Sequence, residues 1–143
     1  MSRAALRGRL RRALGYAGAL PVSAAAAALA APLLLTGARA RASGGVLEVS
    51  GGLLGPILLH AVRGFPIAAI TLGHVVLAAD ARRLAESRAH ERIHVAQYER
   101  WGFLFPLLYL VASLRALLAG GHAWRDNAFE REAELLSGER TAA

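Results

Sequence analysis

The pattern of apolar and polar positions changes texture along the chain. Arg3, Arg7, Arg9, Arg11 and Arg12 precede a run from Ala13 to Ala38, "ALGYAGALPVSAAAAALAAPLLLTGA", that carries no charge. A run of that length crosses a bilayer core of about 30 Å as a helix, despite Pro21 and Pro32. From Ser43 the chain breaks into short apolar pieces between glycines. Of these, "VLEV" and "IAAITLGHVVLA" are rich in β-branched residues and bounded by Gly and Pro, which predicts strands. The charge-free windows from Val49 to Val62 and from Gly64 to Ala79 are short for membrane spans and are separated by Arg63, so a helical hairpin there is the second reading.

Asp80 fits a helix N-cap, and the segment from it to about Trp101 predicts a helix that Gly102 closes. The next piece, "FLFPLLYLVASLRALLAGG", is helical in composition, but Pro106 and Arg115 leave a short uncharged length: either a core helix or one that dips into a membrane surface. A last helix begins near "DNAFEREAELL", where Asn127 followed by Glu130 fits a capping box, and the tail after Ser137 frays. The expected class is α+β. Residues 1–42 form a basic N-terminus and membrane helix, and residues 43–143 form a small domain with a few strands packed on the helix at 80–101 and two further helices.

Composition narrows the chemistry. The chain of 143 residues is one domain's worth, and its 55% hydrophobic content is high for a soluble protein. It has no cysteine, so disulfides and thiolate metal sites are excluded and any metal must be held by His and carboxylate. The net charge of +7 comes from 17 basic residues, all arginine, which are not gathered into a stripe interleaved with aromatics; no nucleic-acid partner is expected. The five leading arginines instead flank the apolar run, where charge sets membrane orientation, and Arg39 and Arg41 alone follow it. That bias puts the N-terminus in the cytoplasm and the remainder outside. An arginine-only, alanine-rich composition fits a GC-rich bacterial genome, hence a bacterial inner membrane. A cleaved signal peptide is the rival to a signal anchor, because "ARARAS" offers an Ala-x-Ala site.

The stretch with most chemistry is "RAHERIHVAQYERWG". On a helix His90 and His94 face the same way and can bind one ion, while Glu91 stands beside it as a general base. The bland alternative is a surface helix with solvated histidines and Glu91 paired with a neighbouring arginine. His90, His94, Gln97 and Trp101 cluster on the helical wheel, bordering the apolar stripe. A catalytic zinc needs a third protein ligand. The metzincin pattern would require a histidine where Arg100 stands, which leaves Glu130, Glu132 or Glu134 of "FEREAE". Glu130 has a competing role as the capping partner of Asn127.

A HExxH helix followed much later by Glu-x-x-Ala resembles the gluzincin arrangement of the membrane proteases that process CAAX-prenylated proteins and of their bacterial heat-shock relatives. The matching residues are His90, Glu91, His94, Glu130 and Ala133, with Glu134 at the usual acidic or amide place. From Gly45 to Glu134, including Gln97, the chain is more similar to small bacterial HExxH domains, some of them attached to toxin and contractile-injection systems. The resemblance implies a zincin-like fold, Zn2+ on His90, His94 and Glu130, with Glu132 as the alternative ligand, and Glu91 as catalytic base. His74, Gln97 and His122 are candidates for supporting the ligands or binding substrate. Tyr98, Tyr109, His122 and Arg125 are the types available to stabilise an oxyanion. For His74 a satisfied structural histidine is the competing reading. In such enzymes a strand beside the active-site helix binds substrate backbone, and "ITLGHVVL" is the piece that would do so. The leading expectation is a membrane-anchored zinc metallopeptidase acting on a peptide or protein at the membrane lipid. The second is a non-catalytic membrane protein with a structural or vestigial metal site.

Overall fold

The computed structural model describes residues 3–61 and 65–138. Four strands, β1 (Arg39–Ser43), β2 (Val46–Ser50), β3 (Ala69–Leu72) and β4 (Val75–Ala78), form one mixed sheet in the order β1-β2-β4-β3. β4 lies parallel to β2 and antiparallel to β3, and β1 is antiparallel to β2. The expected strands are therefore present, but the second expected stretch folds back on itself as a hairpin. Gly73 makes the turn at φ +66°, and a Cβ there would meet the Ser23 side chain, so both the backbone and the space call for glycine. Two elements departed from expectation. Arg39–Ser43, expected only to flank the membrane segment, is an edge strand. The apolar piece after β2, for which a helical hairpin is only the second reading, contains one short helix, α2 (Leu54–His60).

Side-chain alternation sends the two faces of the sheet to different partners. On one face Val49, Val75 and Leu77 pack with Leu54 and Leu58 of α2 and with Ala26 and Ala30 of α1 (Arg3–Ala30). On the other, Val46, Val76 and Ala78 pack on Leu84 and Val95 of α3 (Ala81–Trp101). Every residue of β4 is buried, as a central strand covered on both faces requires. α3 begins where expected: Asp80 accepts from the Arg83 amide, and Gly102 closes the helix by donating to Tyr98 O. After a 3-10 turn at Gly102–Leu104, α4 (Phe105–Leu118) and α5 (Ala128–Ser137) complete the chain.

The apolar N-terminal run continues from α1 into a 3-10 turn at Ala31–Thr36, and the C-terminal half of α1 is packed onto the rest of the protein. Small residues permit the approach. A Cβ on Gly15 would press on Glu99 of α3, and Gly18 abuts Gly102. Two segments, Ala4–Thr36 and Ala81–Leu118, are long and apolar enough to cross a membrane by length and composition.

Candidate metal centre

His90 and His94 lie one turn apart on α3 and turn the same edge outwards, so their Nε2 atoms stand 3.0 Å apart. Glu130, from the first turn of α5, closes the triangle: Oε2 is 3.1 Å from His90 Nε2 and Oε1 is 3.3 Å from His94 Nε2. The three donor sets lie within 4.8 Å of one another and the side chains are only 12%, 10% and 5% exposed. Ligands about 2.0 to 2.1 Å from a tetrahedral centre are separated by about 3.3 Å along each edge. The observed spacings are of that size. Two imidazoles and one carboxylate, with no thiolate, are a donor set that fits a divalent first-row transition metal.

Neighbouring residues fix these side chains. Gln97 donates from Nε2 to Phe129 O at 3.0 Å and to Glu132 Oε2 at 2.8 Å, which turns its Oε1 towards His94. His94 Nδ1 then donates to that oxygen at 2.8 Å, so in the neutral ring the free lone pair is on Nε2, facing Glu130 and His90. Tyr109 of α4 donates to Glu130 Oε1 at 2.7 Å. Burial alone would raise the Glu130 carboxyl, but hydrogen bonds from His90, His94 and Tyr109 hold it at about 2. Burial opposes charge on His90 and His94, yet the Glu130 carboxylate leaves both above the ordinary histidine range.

Glu91 is buried, and its Oε2 accepts from Thr71 of β3 at 2.5 Å. Burial pushes its carboxyl up, against the downward pull of Thr71, His94 and His90. Among the described residues no arginine pairs with it. Arg88 and Arg92 instead reach across to Glu48 of β2, at 3.0 and 2.9 Å, and Glu48 is itself 2% exposed. The outer face of α3 is thus riveted to the sheet by an ionic cluster.

No protein-family profile, curated protein or solved structure matches the chain. Residue roles therefore rest on geometry alone.

Of the three candidate glutamates, Glu130 meets the histidines; Glu132 contacts Gln97 and lies 3.9 Å from Arg100. The capping box is half formed. Asn127 caps α5 by accepting from Phe129 N, but the Glu130 side chain has gone to the histidines and the Asn127 amide donates to Trp124 O. Gln97 touches the cluster through its contact with His94. His74 does not join the cluster: Tyr16 stacks on its ring at 3.8 Å, Glu99 lies 3.1 Å from Nε2, and its amide donates to Ser23 Oγ. His122 is exposed in the turn before α5, where its backbone amide donates to Asp126, so it does not support the ligands. Tyr98 is buried beneath the hairpin turn, its hydroxyl pushed up to about 12 by burial. Thr71 and the Glu48 cluster were not legible in advance, since a threonine in a strand and two arginines on a polar helix face carry no local sign of their partners.

Proposed function

We propose that the protein is a zinc-dependent, zincin-like hydrolase that cuts peptide bonds at a membrane. The observation that supports it most is the His94 tautomer. Gln97 holds Nδ1–H, so Nε2 presents a lone pair to the same point as His90 and Glu130. A zinc ion held there would supply Lewis acidity to a water or a carbonyl oxygen. The chain's own residues would do the rest. Glu91 takes a proton: it is buried next to the cluster, and its raised affinity for a proton suits a base working near neutral pH. Thr71 keeps the Glu91 carboxylate in one rotamer, and Tyr109 does the same for Glu130. β3, which carries Thr71, is an edge strand of the sheet among the described residues, so an extended peptide can pair with its outer side beside Glu91. The test is hydrolysis of a panel of peptides by the full chain, with and without chelator. Chelator-sensitive cutting that Glu91→Gln abolishes supports the proposal; a zinc-loaded protein that cuts none of them sinks it.

One observation favours a second reading, a structural metal that staples α3 to α5. A cleft of about 730 Å³ lies between α4 and α5, lined by Trp101, Leu108, Val111, Arg115 and Phe129 among others, and none of His90, Glu91, His94 or Glu130 lines it. Under that reading chelation lowers the melting temperature and no hydrolysis accompanies the metal.

A further inference from the structure

α4 is apolar on both of its faces. Phe105, Tyr109 and Ala116 turn inwards, while Leu107, Leu110, Leu114 and Leu117 recur at helical spacing on the outside and are 54 to 64% exposed, with Phe103 of the preceding turn exposed beside them. A helix that is apolar on two opposite faces requires cover on both. α1 repeats the pattern. Its packed side carries Gly15, Ala19, Ala26 and Ala30, and at 100° per residue the exposed Leu6, Leu10, Leu14 and Leu20 fall in a stripe on the opposite side. α1 and the start of the α4 segment lie next to each other, since Gly18 abuts Gly102 in the turn that leads into α4.

A bilayer crossed by α1 does not supply the cover. The protein is packed along α1 from Gly15 to Ala30, so a crossing would carry Glu99, which touches Gly15, and the His74–Glu99 pair into hydrocarbon with it. A second copy does not fit either. In a symmetric dimer these faces would meet each other, and neither α1 nor α4 has an acidic residue to neutralise Arg7, Arg9, Arg11, Arg12 or Arg115.

An anionic bilayer surface meets every requirement. Arg7 and Arg9 flank the leucine stripe, where their stems can lie on apolar surface and their guanidinium groups reach phosphates. Trp101 and Trp124, on either side of α4 in the chain, are both exposed, and an amphipathic tryptophan ring belongs at headgroup level. We infer that α1 and α4 lie in the interface of an anionic membrane, and that the protein is held on one leaflet without crossing it. The metal centre is then at headgroup level, because the His94 ring is 6.5 Å from the rings of Phe105 and Tyr109 on α4. The attachment itself does not depend on zinc chemistry.

The chain has no cysteine, so single cysteines report sidedness cleanly. The full-length Ala4→Cys and Glu86→Cys proteins are added to sealed vesicles of phosphatidylcholine and phosphatidylglycerol in equal parts, followed by a membrane-impermeant maleimide. Both cysteines should react completely, and brominated lipids should quench Trp101 and Trp124 when the bromines are shallow but not when they are at the chain ends. A crossing helix would shield one of the two cysteines and overturn the inference. The double variant Leu110→Glu/Leu114→Glu should weaken vesicle binding at least about tenfold. Arg7→Gln/Arg9→Gln should weaken it only on vesicles that contain phosphatidylglycerol. Unchanged binding by both variants, with circular dichroism like that of the parent, overturns the inference, as does a parent protein that ignores vesicles and dimerises in solution.

Discussion

Gln97 Oε1 lies 2.8 Å from His94 Nδ1, and that single contact decides which nitrogen of His94 faces the cluster. Replacing Gln97 by Leu should lower zinc affinity by about 10- to 100-fold, the usual cost of losing such a partner, without removing a ligand. Zinc titration against a competing chelator would measure it. An unchanged affinity would mean that the tautomer is fixed by something else.

Glu130→Ala should cost far more zinc affinity than Glu132→Ala, because of these two glutamates it is Glu130 that points at His90 and His94. Glu132→Ala should act more weakly, through Gln97. Elemental analysis of the two purified variants is sufficient, and equal zinc content would show that the triangle of donor atoms is not where metal binds.

Glu91→Gln should keep its zinc and its fold while losing hydrolysis, since the amide has the carboxylate's shape but accepts no proton. Loss of zinc from this variant would make Glu91 a ligand.

Without metal, the cluster should respond to pH from both sides. Glu130 has its proton affinity depressed, to about 2 from an ordinary 4.5, so its contribution is present above about 4.5 and disappears as pH falls towards 2. His90 and His94 are raised above an ordinary 6.5, so theirs is present below that value and is lost as pH rises through their folded values. The zinc-stripped protein should therefore be most stable between about 4.5 and 6.5, measured by thermal melts across pH. Zinc-loaded protein should show the opposite dependence over the upper half of that window, because protons compete for the imidazole lone pairs. Coincident profiles would show that zinc does not use these histidines.

The Glu48 cluster gives a stability test away from the metal. Arg88→Ala combined with Arg92→Ala leaves a buried carboxylate with neither of its cations and should cost about 3 to 5 kcal/mol. Glu48→Gln should cost less, since both arginines retain access to solvent. Urea denaturation of the full chain would rank them, and the reverse order would mean that burial of Glu48 is not what holds the arginines.

What the sequence disclosed and what it hid follow one physical line. Local rules placed the Asp80 and Asn127 caps, the Gly102 stop and the same-face pairing of His90 with His94, because each involves residues within a few positions. Glu130 stood among three candidates, since a ten-residue helix presents several glutamates to one side and only the packing of α5 on α3 selects between them. Thr71 and Glu48 were invisible for the same reason: their partners are 20 and at least 40 residues away. The short helix α2 was hidden by composition, because a brief apolar run has no period of its own.

The docking of α1 also bears on how the chain can mature. Ala26 and Ala30 line the face of the sheet that carries Val49, Val75 and Leu77, and Ser23 holds the hairpin turn through the His74 amide. A chain cut so as to begin at Arg41 or Ser43 would leave that face with α2 as its remaining cover and expose apolar surface to other chains. The N-terminal helix can act as a removable leader only before it docks; once docked, it is a wall of the folded protein.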